Sequence, residues 1–132
     1  MPIDIELFQP KGTSTDLLAR RLELHDGGIY WYLFPFFERL GNQTGQLIDL
    51  YGDAKFSAEN IVPLDIILRE ALTSLELQPD VWEQKIGEQI RPVRKTLTQT
   101  ISRKDVRSFI NSLQDLLEKA VNGRGVVTFT GD

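Results

Sequence analysis

The chain of 132 residues contains no cysteine and a single histidine, His25. The absence of cysteine excludes disulfides, thiolate nucleophiles and cysteine-ligated metal sites. A zinc site would need at least two further nitrogen or sulfur ligands beside His25, so we expect no metal and no cofactor. No GxSxG nucleophile elbow accompanies His25, and we therefore assign no catalytic residue.

An apolar run long enough to cross a membrane is also missing. The longest candidate, Ile29–Phe37, reaches charge at Glu38, whereas a spanning helix needs about 20 apolar residues. The first residues, Met1–Glu6, have no basic region followed by an apolar stretch, so they do not resemble a signal peptide. We expect a cytoplasmic protein that does not bind membranes.

The sequence has no excess of basic residues. Its formal net charge is -4, and residues 1–60 carry nine acids against five bases, while residues 61–132 carry ten of each. Nonspecific nucleic-acid binding needs a net basic face, so we expect no nucleic-acid partner. An acidic first half suits a basic protein partner, because complementary charge speeds encounter.

One local cluster runs against this charge balance. It consists of Arg91, Arg94, Lys95, Arg103, Lys104 and Arg107, opposed only by Asp105. Such a cluster can hold a phosphate or an acidic partner face, but a solvated strand and helix start is the interpretation that we favour.

What the sequence does contain is a concentrated aromatic segment. Ile29–Phe37 holds six of the chain's twelve aromatic residues. A helix is predicted by the helical spacing of Tyr30, Phe34 and Phe37 together with Leu33 and Leu40, and Gly41 is its C-terminal cap. Because Pro35 lacks an amide hydrogen, we expect this helix to start near Pro35 or to be kinked there. Three consecutive rings, 30–32, cannot all face inward, so part of the segment must contact another element, a second subunit or a partner.

The remaining patterns predict short strands and two further long helices. Alternating apolar residues predict strands at Ile3–Leu7, Lys95–Ile101 and Val126–Phe129. Residues 81–101 read as a hairpin that turns between Gly87 and Pro92, although a helix over the first part fits as well. Leu47–Phe56 reads as a loop or short extended piece, with a turn at Gly52–Asp53.

Capping residues locate the predicted helices. The capping residues Thr13–Asp16 predict a short helix through Leu22. Asn60 predicts the start of a second helix, which has Pro63 in its first turn. Ser102 predicts the start of a third helix, which ends at Gly123. These elements predict an α+β fold: one domain over residues 1–132, with a small, mostly antiparallel sheet covered by about three helices.

Three segments carry a resemblance to known proteins. Leu47–Ser57, with Phe34–Glu38 before it and Gly131–Asp132 at the end, resembles a family of small bacterial domains of unknown function. Some domains of this kind are immunity proteins, which neutralise a cognate toxin by binding it. The resemblance covers about half the chain and assigns no functional residue.

Our leading hypothesis is a non-enzymatic protein-binding module, and an immunity protein is its most specific form. It would present an acidic, aromatic-edged face to a basic protein. The candidate contact residues are Tyr30, Trp31, Tyr32, Glu38, Asp49, Tyr51 and Asp53. One alternative is a small-molecule-binding protein or hydrolase whose pocket is walled by the aromatic segment and floored by Asp49 and Asp53. A second alternative is a structural homodimer that buries the exposed part of this segment.

Overall fold

The computed structural model describes residues 2–11 and 15–131. Within these residues the chain forms six strands and three helices. In chain order they are β1 (Ile3–Lys11), β2 (Thr15–Leu24), α1 (Gly28–Thr44), β3 (Asp53–Phe56), α2 (Ile61–Leu75), β4 (Val81–Gln89), β5 (Lys95–Ser102), α3 (Arg103–Gly123) and β6 (Val126–Thr130). The fold is α+β, as the sequence predicts.

The strands form two antiparallel sheets. The larger sheet has the order β2-β1-β6-β3, and β4 and β5 form a separate two-stranded hairpin. Ile3, Ile5 and Leu7 of β1 are fully buried on one face, while Asp4 and Glu6 lie on the other. Helix α3 packs on β1 and β6, and α2 packs against both other helices. The helices therefore cover one face of the large sheet and leave the other face open.

The short helix predicted through Leu22 is wrong, because this segment is strand β2. It pairs with β1 from Ile3↔Leu24 to Lys11↔Thr15. Leu24 is buried and Leu22 is partly buried, alternating with exposed Arg21 and Glu23. Leucine and arginine favour helices locally, but pairing along the whole neighbouring strand outweighs that preference. Residues 12–14, which include part of the predicted cap, lie outside the described residues.

The aromatic helix α1 contains Pro35 in its interior, so the predicted start near Pro35 is wrong, and the helix also ends later than predicted. It begins at Gly28, passes through Pro35, which is exposed, and continues beyond Gly41. The C-terminal cap is Gly45, whose φ of 76° is left-handed and whose N–H donates to the Gly41 carbonyl at 2.8 Å. Gly41 has a different role, since a Cβ there would lie 3.2 Å from the Leu47 side chain. A glycine at this position lets the loop after α1 pack closely on the helix.

The predicted starts of the other two long helices agree with the structure. Asn60 precedes α2, although its side chain bonds the backbone of Ser57 and Lys55 instead of capping a helix N–H. The Ser102 hydroxyl accepts a hydrogen bond from the Asp105 N–H at 3.0 Å, which is the cap predicted for α3.

The predicted hairpin is confirmed, and residues 81–89 are strand. Its base packs on the body, where Trp82 and Ile101 are paired and the Trp82 ring lies 5.3 Å from the ring of Tyr32. Farther along the hairpin, the Gln99 side chain accepts a hydrogen bond from the Gly28 N–H at 2.5 Å. Beyond this point residues 91–98 are all exposed. We call residues 83–98 the β4–β5 arm.

Candidate protein-binding surface

The helical twist of α1 sends its aromatic rings in three directions. Tyr30 and Phe37 are 1% and 0% exposed and lie in the core. Tyr32 and Phe36 lie on one flank, and Trp31 and Phe34 lie on the other; all four are partly exposed and pack against the core. The expected division of the segment into buried and accessible rings is therefore observed.

Tyr30 is a structural residue rather than a surface contact. Its hydroxyl donates a hydrogen bond to the Ile48 carbonyl at 3.1 Å, which ties α1 to the following loop. Burial raises the pKa of Tyr30 to about 12, and the negative charges of Asp49 and Asp26 act in the same direction, opposed by a hydrogen bond from the Leu50 backbone. The prediction of Tyr30 as a contact residue is corrected, because its ring has no accessible face.

Trp31 and Phe34 lie next to Tyr30, on the flank of α1 away from Tyr32 and Phe36. Their ring centroids are 5.4 Å apart, and that of Trp31 is 5.1 Å from Tyr30. The indole N–H of Trp31 donates to a carboxylate oxygen of Asp26 at 3.1 Å, which fixes the ring orientation. Glu38 is exposed two helical turns after Trp31 and therefore lies on the same flank.

The loop after α1, which Tyr30 contacts through the Ile48 carbonyl, carries two further candidate residues. Ile48 and Leu50 are buried, and they alternate with partly exposed Asp49 and exposed Tyr51. The Tyr51 ring is 76% exposed, while its N–H donates to the Asp49 carboxylate at 3.3 Å. We name the set Asp26, Trp31, Phe34, Glu38, Asp49 and Tyr51 the α1–loop surface.

Tyr32 and Asp53, by contrast, lie elsewhere. The Tyr32 hydroxyl shares a hydrogen bond with Ser74 of α2 at 3.1 Å, so the side chain joins α1 to α2 and the hairpin. Asp53 is exposed at the start of β3, while Ala54 after it is buried. Its side chain therefore points to the open face of the sheet. The structure therefore does not bring Tyr32 or Asp53 together with the other candidate residues.

The sequence reasoning missed Asp26 and Phe34. Phe34 follows Trp31 by three residues, which is the spacing of neighbours on one helix face and could have indicated the contact. Asp26 precedes the helix, and its bond to Trp31 depends on where α1 begins. A helix that starts near Pro35, one of the two predicted alternatives, would not include Trp31.

The basic cluster predicted from the sequence is divided by the fold. Arg103 pairs with Asp80, and Arg107 pairs with Glu76 at 3.1 Å. These two side chains hold the α2–β4 connection against α3. Lys104 is exposed in the first turn of α3, and the other three bases, Arg91, Arg94 and Lys95, lie far away at the end of the β4–β5 arm.

The described residues offer no assembled catalytic centre. His25 is largely exposed and lies 3.8 Å from a Glu23 carboxylate oxygen. No three histidine or acidic side chains of the described ranges are grouped as metal ligands would be. Three concavities of the described surface include neither Asp49 nor any ring from Tyr30 to Phe37, and only the shallow one on the open sheet face includes Asp53. The aromatic-walled pocket required by the hydrolase alternative is therefore not found among them.

Comparison with known proteins adds no relative. No protein-family model, no curated protein and no solved structure matches this chain. The resemblance to immunity proteins consequently stays a hypothesis. Within the described part of the chain, no helix is both long and apolar enough to span a bilayer.

Proposed function

We propose that this chain is a non-enzymatic protein-binding module that docks a basic partner on the α1–loop surface. The observation that carries the proposal is the combination, on one flank of α1, of accessible aromatic rings with carboxylates. Tyrosine and tryptophan are enriched among the residues that dominate binding energy at protein interfaces. Because the surface is negatively charged, the partner is expected to carry positive charge.

The carboxylates of this surface are available to a partner. Asp26, Glu38 and Asp49 form no ion pair with any other residue that the structure describes. Arg39, the nearest base in sequence to Glu38, pairs instead with Glu70 of α2 at 2.7 Å. The three acids therefore add a local negative field that steers a basic protein toward the rings.

The surface is also ordered before binding. The loop is fixed by the Tyr30–Ile48 hydrogen bond and by the close packing of Leu47 on Gly41. At its far end, the Gly131 N–H donates to the Gly52 carbonyl at 2.9 Å. A pre-ordered loop loses less conformational entropy on association, so more of the contact energy is retained as affinity.

An immunity protein that neutralises a toxin is the specific form of this function that we favour. Its support is the resemblance of Leu47–Ser57 and Phe34–Glu38 to a family of small bacterial domains, some of which are immunity proteins. Phe34, Glu38, Asp49 and Tyr51 of these segments belong to the α1–loop surface. Blocking a toxin requires only tight binding, which agrees with a site built from rings and carboxylates.

The test compares two variants that each reverse two acidic charges. Glu38→Lys with Asp49→Lys alters the α1–loop surface, and Asp115→Lys with Glu118→Lys alters α3 elsewhere. Each protein is used to capture partners from an extract of the source cells, and the captured protein is purified and titrated by calorimetry. We expect a basic partner whose affinity falls about tenfold or more for the first variant only, since each exposed charge pair contributes up to about 1 kcal/mol.

Two results would overturn the proposal. One is equal affinity of the purified partner for wild type and for the Glu38/Asp49 variant at low salt. The other is equal loss of affinity in both variants, which would attribute binding to net charge alone. Circular dichroism and thermal unfolding of each variant establish that the fold is retained.

A further inference from the structure

An open groove lies between α2 and α3, outside the α1–loop surface. Its volume is about 670 Å³. Apolar side chains from both helices, Ile61, Val62, Leu117 and Val121, line it together with acids. Val62 and Val121 are more than half exposed there, so the groove presents apolar area to solvent that the fold itself does not use.

The charge of this groove is acidic. Asp65 is paired with Arg69 at 2.9 Å, but Asp115 and Glu118 form no ion pair within the described ranges 2–11 and 15–131. A ligand for the groove must therefore combine apolar side chains with positive charge.

The tip of the β4–β5 arm has this combination. Residues 90–95 read Ile-Arg-Pro-Val-Arg-Lys, with three bases and no acid. Ile90 and Val93 are 73% and 69% exposed. Arg94 reaches Glu88 at 3.5 Å, while Arg91 and Lys95 form no ion pair with another described residue.

The arm and the groove lie at opposite ends of the helical layer. From base to tip the hairpin passes Tyr32 and then Gly28, so it leaves the body beyond the start of α1. The start of α1 and the end of α2 are neighbours, because Tyr32 bonds Ser74. The groove lies at the other end, between the first half of α2 and the second half of α3. An arm therefore extends away from the groove of its own chain.

We propose that the arm tip of one copy docks in the α2–α3 groove of a second copy, in a head-to-tail contact. Ile90 and Val93 enter between the apolar side chains of the groove, and Arg91, Arg94 and Lys95 meet Asp115 and Glu118. A contact between two different patches of the same chain repeats from copy to copy, so it closes into a ring or continues as a filament. It involves no residue of the α1–loop surface and is independent of the proposed function.

A nucleic acid is the other occupant that a basic arm suggests, and the charges favour the second copy. The arm itself carries Glu83 and Glu88, and the chain as a whole is acidic. Duplex DNA would be repelled by the body beside the arm, whereas the groove offers carboxylates together with apolar area.

The contact is tested by sedimentation velocity of the full chain, from micromolar to near-millimolar concentration. At an ionic strength of about 0.01 M we expect the weight-average mass to rise above the 15.1 kDa monomer, because the screening length is about 30 Å there. At about 1 M, where the length is about 3 Å, we expect mostly monomer.

Charge reversal on both sides gives the decisive comparison. Arg91→Glu with Arg94→Glu makes the arm acidic, and Asp115→Lys with Glu118→Lys makes the groove basic. Each variant alone then has an arm and a groove of like charge, so we expect each to be monomeric. An equimolar mixture pairs the acidic arm with the basic groove, and the basic arm with the acidic groove, and it should associate again.

Matched controls separate this contact from attraction between net charges. The control for the groove variant is Glu38→Lys with Glu59→Lys, and the control for the arm variant is Lys55→Glu with Lys104→Glu. Each control has the same net charge as the variant it matches, but its substitutions lie outside the arm and the groove. A mixture of the control pair that associates as strongly as the arm and groove mixture overturns the proposal. The proposal is also overturned if the wild type stays monomeric at low salt. It is likewise overturned if the wild type binds a duplex DNA probe in a gel-shift assay, depends on Arg91 and Arg94 for that binding, and does not self-associate.

Discussion

Removing the hydroxyl of Tyr30 tests how α1 holds the loop that carries Asp49 and Tyr51. In Tyr30→Phe the ring remains in the core, but the Ile48 carbonyl loses the donor that lies 3.1 Å away. A buried acceptor left without its partner costs about 1–3 kcal/mol. We therefore expect the free energy of unfolding at neutral pH to fall by about 1–2 kcal/mol, measured by urea denaturation.

The same substitution has a distinctive dependence on pH. The folded pKa of Tyr30 is about 12, against an ordinary value of 10. Below pH 10 the tyrosine is protonated in both folded and unfolded states, so its contribution to stability is constant. Between pH 10 and 12 the unfolded chain releases the proton while the folded chain keeps it, and the wild type loses about 2–3 kcal/mol across this window.

Tyr30→Phe has no such proton, so the stability difference between wild type and variant should shrink and reverse as the pH approaches 12. Other groups that titrate at alkaline pH act equally on both proteins and cancel in this difference. Tyr51→Phe, in which the ring is exposed, controls for the loss of a hydroxyl outside the core. A difference between wild type and Tyr30→Phe that stays constant from pH 7 to pH 11.5 would refute the account of Tyr30.

Two further predictions concern single sites in the fold. Ser102→Ala removes the cap of α3 and should cost about 1 kcal/mol in urea denaturation, whereas Ser108→Ala on the exposed face of the same helix should cost nothing; equal effects would contradict the cap. Gly131→Ala places a Cβ 2.6 Å from a carbonyl oxygen of the loop after α1 and should lower the stability by about 1–3 kcal/mol. Gly87→Ala, with no atom within 4 Å, should be tolerated; a thermal shift as large as that of Gly131→Ala would show that close packing is not the cause.

Local pattern was sufficient to predict most of the fold. The Ser102 cap of α3, its end at Gly123 and the alternation in β1 each depend on residues within or next to one element, and all three agree with the structure. Strand β2 was mistaken because its conformation depends on pairing with β1. The end of α1 was placed at Gly41 instead of Gly45, since the packing of Leu47 on Gly41 cannot be seen in the sequence.

The candidate site was predicted only in part, for a geometric reason. Successive residues of a helix point about 100° apart, so Tyr30 faces the core, Trp31 turns toward Asp26 and Tyr32 turns toward α2. The prediction grouped Tyr30, Trp31 and Tyr32 because they are adjacent in sequence, whereas the helix points their side chains in different directions. The α2–α3 groove was missed altogether, because it is formed by the packing of two helices that are distant in the chain.

The claim that the α1–loop surface recognises a basic protein is tested most directly by truncating Tyr51. Its ring is 76% exposed, so Tyr51→Ala should change the free energy of unfolding by less than about 0.5 kcal/mol. Calorimetric titration of the captured partner should show an affinity at least about tenfold weaker than that of wild type. Leu77→Ala, at a residue 86% exposed on another part of the chain, should bind as wild type does. Unchanged affinity of Tyr51→Ala would contradict the account.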